Sequence, residues 1–364
     1  MRRSGKGLCR RRLRANESLT IGLRVTELTG PMADWPSHDL QTVNACPACG
    51  CTQPELLHEA VADWTFWSAP GRWRYQRCLD CQSVYLDPRP TPDTIGRAYA
   101  TYYTHEGPGS ASGVKSLKLR WKNERLSARW GRDLQPRLGL PAWLTGFARR
   151  RGERMALPFG WQELAGLAPG RLVDVGCGSG ATVALAAQLG WQAQGIEMDE
   201  AAVRSAQAFG LAVEQGGYER LSAYPGAFDA VVCSHVIEHV FDPRDMVRLM
   251  WDALRPGGVL LLSTPNALSD LHRHFGADWR GLEAPRHLVL FTEVQLSRLL
   301  TAQGFEVGSR SDEVLETARD SARIRRRARR VSKEDRAEAR RLARELPRSA
   351  DGQDFIKLVA RRPG

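Results

Sequence analysis

The residues best suited to chemistry begin with an acid and a run of glycines. Asp174-Val175-Gly176-Cys177-Gly178-Ser179-Gly180 is followed by Glu197 in "GIEMD". Gly176 and Gly178 permit a sharp turn and a close approach of the backbone to a ligand. Gly176-x-Gly178-x-x-Ala181 matches a dinucleotide fingerprint loosely, which leaves NAD open. Asp174 stands two residues before the first glycine, where a pyrophosphate would not welcome an acid. Gly180 also extends the pattern to G-x-G-x-G. An acid there suits a cationic ligand with an ammonium, a sulfonium and no phosphate, namely S-adenosylmethionine (SAM). Glu197 is placed to accept both ribose hydroxyls. That role is common to SAM and NAD sites, so Glu197 marks an adenosine-type ligand without choosing between them.

Four of the eight cysteines form two pairs, Cys46-x-x-Cys49 and Cys78-x-x-Cys81. Each pair makes a tight turn that aims two thiolates at one point, and two such turns complete an S₄ site suited to structural Zn²⁺. Pro47 stiffens the first turn and Gly50 relieves crowding after it. Gln82 takes the place where a second glycine is usual. Four thiolates leave no open position, so catalysis is not expected there. A disulfide framework is the weaker reading, because nothing else in the chain has an extracellular signature.

Histidines supply the third group. His235, Glu238 and His239 lie in "SHVIEHV", His287 in "PRHL", and His274 nearby. His235 and His239 are four apart and share one face if helical, with Glu238 placed to orient a partner. A base that takes a proton from a hydroxyl acceptor is sought among His239, His235 and His287. Each has the alternative of a hydrogen bond to backbone or of lining the cofactor site. Trp279 and Arg280 fit a ring or an anionic group, or plain packing.

These residues need elements to hold them. From Arg171 onward the apolar segments "RLVDVG", "AQGIEM", "FDAVVCS" and "GVLLLSTP" alternate with helical stretches. That alternation predicts an α/β fold with a parallel sheet and right-handed crossovers. Asp242-Pro243 reads as an N-cap with proline at the first helical position, and "RPGG" at 255–258 as the end of that helix. "FEVGSR" and "DFIKLVARR" read as further strands. The organisation is a basic arm at 1–40, a zinc-ribbon region at 41–100, a helical linker or cap at 101–165, and a cofactor-binding core at 166–310. A basic helical insertion at 311–352 and a final strand at 353–364 follow.

The net charge of +11 is concentrated in two places. Residues 1–14 carry seven Lys/Arg and no acid, and residues 319–348 carry thirteen Lys/Arg against five acids. The remainder is mildly acidic, which argues against a body that grips a phosphate backbone. "RIRRRARR" is too uniformly charged to pack into a core on this reading. It is expected to be solvated, or to steer an anionic acceptor or touch an anionic membrane. No apolar run approaches a membrane span and no secretory signal is visible, so the expected location is cytoplasmic.

"VDVGCGSG", "GIEMD", "FDAVVCSHVIEHVFDP" and "LRPGGVLLLSTPN" together resemble, in order and spacing, the motifs of class I SAM-dependent methyltransferases across about 171–310. The resemblance implies a Rossmann-like seven-stranded methyltransferase sheet whose last strand is antiparallel, here "DFIKLVARR". It assigns Asp174 to the methionine part of SAM and Glu197 to ribose. The expected cofactor contacts are Asp174, Gly176, Cys177, Gly178, Gly180, Glu197, Met198, Ser234 and His235. An acid that often contacts adenine after the third strand is replaced by Gly217 in "EQGGYERL", with Tyr218 or Glu219 as substitutes. With the cysteine pairs, about 44–310 is similar to bacterial methyltransferases that carry an N-terminal zinc-binding region, some of which modify deoxysugars. The core is similar to the ubiquinone-pathway O-methyltransferase group. The implied function is methyl transfer to a small-molecule or glycan acceptor, with O-methylation ahead of C- or N-methylation. RNA methylation and a non-catalytic SAM-binding module are the alternatives, and nucleic acid is not the expected partner.

Overall fold

The computed structural model describes residues 34–99, 167–309, 317–346 and 352–364, with 117, 120–121, 123–127, 133–141 and 164. Most of the arm read at 1–40 and of the linker read at 101–165 lies outside these residues. The described residues 117, 120–121 and 123–127 are helical.

The N-terminal region contributes β1 (Leu40–Gln41), β2 (Pro54–Val61), β3 (Trp73–Cys78), β4 (Val84–Leu86) and β5 (Arg89–Pro90). The alternating region then gives β6 (Arg171–Val175), α1 (Ala181–Gln188), β7 (Gln192–Glu197), α2 (Glu200–Ala208), β8 (Val213–Gln215) and β9 (Phe228–Ser234). After these come α3 (Pro243–Ala253), β10 (Leu254–Pro265), α4 (Asp270–Phe275), β11 (Val289–Leu290), α5 (Glu293–Gln303) and β12 (Glu306–Ser309). The basic segment forms α6 (Ala318–Arg325) and α7 (Lys333–Glu345), and β13 (Phe355–Arg361) closes the chain.

Seven strands form one sheet in the order β12-β13-β10-β9-β6-β7-β8. β13 pairs antiparallel with both β10 and β12, as the resemblance implies, and β6–β10 run parallel. β6 and β9 are almost wholly buried. Helices cover both faces of such a sheet, so its central strands are apolar throughout rather than alternating. Each fully buried Val or Leu contributes about 1.5–3 kcal/mol.

The chain builds outward from β6 through β7 to β8, then returns to the other side of β6 with β9. The strand order therefore reverses between β6 and β9, and ligands of open α/β sheets bind at such a switch point, beyond the carboxyl ends of the strands. Register places those ends together: Val175 pairs with Ile196 and with Cys233, and Ser263 with Ser234. The loops after β6, β7, β9 and β10 thus emerge at one edge.

Local signals set the helix ends. The Asp242 carboxylate accepts from the N–H groups of Arg244 and Asp245 at 3.0 Å each, with Pro243 at the first helical position. α3 ends at Ala253, and "RPGG" lies within β10 as a bulge, where pairing with β9 shifts between Leu254 and Val259. α5 starts at the Thr292 cap and ends at Gly304 in the left-handed region.

The ribbon is not a separate layer. β2, β3 and β4 form a second sheet that β11 completes, in the order β11-β4-β3-β2. Cys46, Cys78, Cys81 and Tyr85 share a buried cluster with Val173, Ile237 and Leu260 of the main sheet region.

In "RIRRRARR" Arg325, Arg326, Arg327, Arg329 and Arg330 are exposed, as expected of a solvated run, and Arg323 is the exception. Arg323 is buried and donates to the carbonyls of Trp64 and Thr65 at 3.2 and 3.3 Å. Arg325 donates to the His274 carbonyl, and Arg326 forms a two-point pair with Asp335. Arg327 pairs with Asp278 and lies over the Trp64 ring, while Arg329 lies over Trp67. The exposed arginines still find partners at the surface, because planar guanidiniums stack on aromatic faces while their edges reach carbonyls and carboxylates. Among the described residues, no helix is long and apolar enough to cross a membrane.

Candidate functional site

The turn after β6 is held from behind by strand β7. The N–H groups of Gly176 and Cys177 donate to the Ile196 carbonyl at 2.8 and 3.2 Å. Gly176, Gly178 and Gly180 have φ of 69°, 52° and 83°, a region closed to most side chains. Their surroundings differ. A Cβ on Gly176 would lie 2.4 Å from Val236 Cγ2, and one on Gly180 would lie 2.5 Å from Leu211 Cδ1. A Cβ on Gly178 would meet nothing within 4 Å. Gly178 is therefore the member of the loop that faces free space at the switch point.

The two acids bracket this loop. Glu197 ends β7, and its Oε2 accepts the Gly178 N–H at 2.8 Å while Oε1 accepts the Asp199 N–H at 2.9 Å. Asp174 is buried beneath the loop. Burial pushes its carboxyl up to about 7, a nearby Glu197 charge adds to the rise, and a hydrogen bond from Thr182 opposes it. A buried carboxyl this close to another acid gains from a cationic ligand. Cys177 turns its side chain away, into space that Gly195 leaves: a Cβ on Gly195 would lie 2.3 Å from Cys177 Sγ. Only the backbone of Cys177 faces the loop. Met198 is exposed beside Glu197, and Ser234 is exposed at the end of β9. After β8, the Glu219 carboxylate folds over Gly217, where a Cβ would lie 2.2 Å from its Oε2.

Alanine at the two glycines separates support from contact. Gly176→Ala is expected to lose about 1–3 kcal/mol, because it combines a disfavoured φ with a clash against Val236. Gly178→Ala is expected to cost about 1–2 kcal/mol of backbone energy alone, and to weaken cofactor binding more than Gly176→Ala does at equal folding. Urea denaturation and cofactor titration on both variants check this. Equal loss of affinity in the two would remove the distinction.

Beyond β9 the backbone turns at His235, which has φ 58° and donates its N–H to the Ser263 carbonyl at 2.8 Å. The imidazole is half exposed, packs edge-on to Phe355, and holds Nδ1 3.4 Å from Glu238 Oε1. Glu238 is fully buried, and its Oε2 accepts from the Thr264 hydroxyl at 2.9 Å. Burial alone would raise its carboxyl. Contact with His235 and the proximity of His239 and His287 outweigh burial and hold it at about 2. His239 follows, with Nδ1 3.0 Å from both the Tyr99 hydroxyl and the Arg286 carbonyl. Its ring meets that of His287 edge-on at 4.7 Å. His287 is buried, which drops its imidazole to about 4, and its Nδ1 lies 2.6 Å from the Gly281 carbonyl.

The structure thus brings His235, His239 and His287 together around Glu238. It does not bring His274 there: that ring points at Glu338 of the basic segment, 3.9 Å away. Trp279 is buried, stacks on His272 and donates to Thr317 and Asp354, so it packs rather than recognises. Arg280 pairs with Glu283.

His287 is positioned by residues that the sequence reading passed over. The side chain of Arg286 is fully buried and pairs with Asp63 at 2.6 Å and with Glu283 at 3.1 Å. It also donates to the Ala98 carbonyl at 2.7 Å. The Tyr75 hydroxyl donates toward the carbonyls of Leu282 and His287. Asp63 has no neighbouring motif that could have marked it. Arg286 adjoins His287 in "PRHL", the one signal available.

At the other end of the ribbon, one Sγ from each of Cys46, Cys49, Cys78 and Cys81 lies within 4.8 Å of the others. Cys46 and Cys81 are 3.7 Å apart, and Cys49 and Cys78 3.5 Å. Four thiolates around Zn²⁺, each about 2.3 Å from the ion, would stand about 3.8 Å apart, so the residues fit that ion. Gln82 adopts φ 60° where glycine is usual, and its side-chain amide donates to the carbonyls of Cys78 and Leu79.

Residues 147–309 match the family described as a methyltransferase domain. An enzyme named ubiquinone biosynthesis O-methyltransferase from Cupriavidus pinatubonensis is 38% identical over 120 residues, 30% of this chain and 47% of that protein. One of the same name from Bordetella avium is 34% identical over 154 residues, 37% of this chain and 63% of that protein. The chain thus spans between about half and under two thirds of the length of these curated relatives. Among solved structures, a SAM-dependent methyltransferase from Archaeoglobus fulgidus is 20% identical, with a TM-score of 0.39, over 53% of this chain and 86% of that one.

Proposed function

We propose that this chain, in which residues 147–309 form a methyltransferase domain, transfers a methyl group from SAM to an oxygen of a small-molecule acceptor. The observation that carries the reading is the bracketed loop. Buried Asp174 lies beneath it, Glu197 holds it through Gly178, and Gly178 faces free space where the strand order reverses. Asp174 would take the ammonium of SAM, and Glu197 would exchange its two backbone hydrogen bonds for the ribose hydroxyls. Glu219, folded over Gly217, takes the place of an acid at that position and would reach adenine.

The reaction is a displacement at the methyl carbon. The acceptor oxygen must lose its proton, approach in line with the carbon–sulfur bond and reach contact distance. His235 is the half-exposed imidazole at this edge, and Glu238 stands behind it. We assign His235 the role of base, with Glu238 orienting it and holding positive charge on the ring once the proton has moved. His239 and His287 lie deeper and support this pair. The names of the curated relatives favour oxygen as the methylated atom and a small molecule as its carrier. An RNA acceptor draws less support, because the chain outside its two basic segments is mildly acidic.

We also infer that Cys46, Cys49, Cys78 and Cys81 bind one structural zinc ion, which would fix the two turns of the ribbon against the core.

Calorimetric titration with SAM, S-adenosylhomocysteine and NAD tests the reading. SAM and S-adenosylhomocysteine are expected to bind at micromolar concentrations while NAD does not. Binding of NAD alone would replace the proposal with a dehydrogenase.

A further inference from the structure

The helix pair between β12 and β13 is fastened to the core on one side and bare on the other. β12 ends with Ser309 opposite Leu358, and β13 begins with Phe355 opposite Pro265, the last residue of β10. The insertion therefore leaves and rejoins the sheet at the edge where the loops after β6, β7, β9 and β10 emerge. Ala318 and Ala322 of α6 and Leu342 of α7 share a buried cluster with Leu271 and Trp279. Arg325 and Arg327 tie the pair to the His274 carbonyl and to Asp278. These contacts fix which face of α7 looks outward.

Charge is sorted around that helix. At about 100° per residue, Lys333, Arg336, Arg340 and Arg344 fall within an arc of about 80°, on the side away from buried Asp335 and Leu342. All four are exposed, and they span about 17 Å of helix. Among the described residues, none of the four pairs with an acid. The acids of α7 are turned elsewhere: Asp335 pairs with Arg326 at 2.6 Å, Glu338 with Arg325 at 3.7 Å, and Glu345 with Arg341 at 2.7 Å. Glu334, the fourth acid, lies about 100° round from Lys333.

This arrangement works against the helix itself. Arg336, Arg340 and Arg344 stand four apart, so each has a like charge in the place where an acid would support it. Lys333 is the first residue of the helix, where the dipole disfavours a cation. An ordinary solvated face interleaves its signs, whereas this one collects cations in a row that an outside anion would relieve.

The shape of the row selects the anion. It lies along the outside of a helix and offers no enclosed pocket to a small ion. Ala337 and Ala343 flank it, both exposed, so no ring is there to stack on a base as single-stranded nucleic acid requires. Lipid headgroups are laterally mobile and can gather beneath fixed cations. About four to eight basic residues on one helix face suffice to hold a protein at an anionic bilayer.

We propose that the outward face of α7 docks the chain on an anionic lipid surface. With only alanine beside the cations, the contact is adsorption to headgroups and not insertion. The docking surface does not rest on the function proposed above. The two meet at one point: the insertion springs from the edge where methyl transfer is placed, so docking would hold that edge near the bilayer.

Sedimentation of the full chain with vesicles tests the proposal. Vesicles of phosphatidylcholine alone are compared with vesicles of equal parts phosphatidylcholine and phosphatidylglycerol. The parent is expected to sediment with the anionic vesicles only. Raising the salt from about 0.1 to 1 M shortens the Debye length from about 10 to 3 Å and should release it. One basic residue near such a surface changes adsorption roughly fivefold. Arg336→Gln, Arg340→Gln and Arg344→Gln together should therefore weaken binding about 100-fold, and Ala337→Arg should strengthen it about fivefold. The triple variant should unfold in urea no earlier than the parent, because it loses like-charge neighbours. A parent that ignores anionic vesicles, or binds both kinds alike, overturns the proposal. A triple variant that sediments as the parent does overturns it too, and assigns the binding to the basic residues 1–14. A chain that ignores vesicles while its row retards total RNA would give the face to nucleic acid instead.

Discussion

Arg286→Met is expected to destabilise the protein by about 3–5 kcal/mol, the range for breaking a buried ion pair from one side. The Arg286 side chain is fully buried, and the substitution leaves Asp63 buried without its cation and Glu283 with Arg280 alone. The effect should be on folding first and on the site second, because Arg286 ties the ribbon loop at Asp63 to the segment that carries His287. Urea denaturation followed by tryptophan fluorescence measures it. Removing Asp63 and Arg286 together with Asp63→Leu and Arg286→Met should recover much of the loss, since Glu283 keeps Arg280 and no buried ion is then left unpaired. A single-variant cost under about 1 kcal/mol would mean that the network is solvated rather than buried.

Removing the cysteine-site metal should act more locally. Structural zinc in small sites contributes about 10–16 kcal/mol of apparent binding energy, so its loss should open the turns at 46–51 and 78–82. The second sheet should persist. Tyr75, Val84 and Leu86 are buried in a cluster with Leu271, Leu282 and Leu290, and β11 pairs with β4. Hydrogen exchange after chelation is expected to speed at the two turns and to change little in β3 and β4. Cys78→Ser should reproduce the pattern, and elemental analysis of the parent, purified without chelator, should find zinc. A parent without zinc would contradict the assignment.

The contrast between these two cases shows what the sequence could convey. The cysteine pairs and the glycine loop were legible because each is local: a few residues of set type at set spacing make the turn, and the turn makes the site. The parallel part of the sheet was legible for a related reason, because short apolar strands alternating with helices admit few connections. The antiparallel place of "DFIKLVARR" came from the family resemblance, and the strand order came from the structure. Long-range pairings were not legible. Asp63 and Arg286 are 223 residues apart in sequence, and β11 is two residues long, too short to show a period. The arginine run was legible as a solvated face, but not its partners: the rings that receive the exposed Arg327 and Arg329 belong to Trp64 and Trp67, far away in the chain. Glu238, His239 and His287 were each visible singly. Their convergence depends on Leu288 donating to the Glu238 carbonyl at 2.8 Å, a contact between two loops.

The central claim is that Asp174 and Glu197 bind SAM, and the pH dependence of SAM affinity tests it most directly. Burial holds the Asp174 carboxyl at about 7, whereas an ammonium ligand needs the carboxylate. Below about 7 binding must therefore expel a proton, and affinity should rise by up to about tenfold per pH unit before levelling above that point. Asp174→Asn should bind more weakly, with that dependence flattened. Glu197→Ala should lose about 1–3 kcal/mol, the range for hydrogen bonds to a charged group, and keep the dependence. Calorimetry of the parent and the two variants across this pH range yields all three curves. Variants that bind SAM as tightly as the parent, with the same pH profile, would contradict the account.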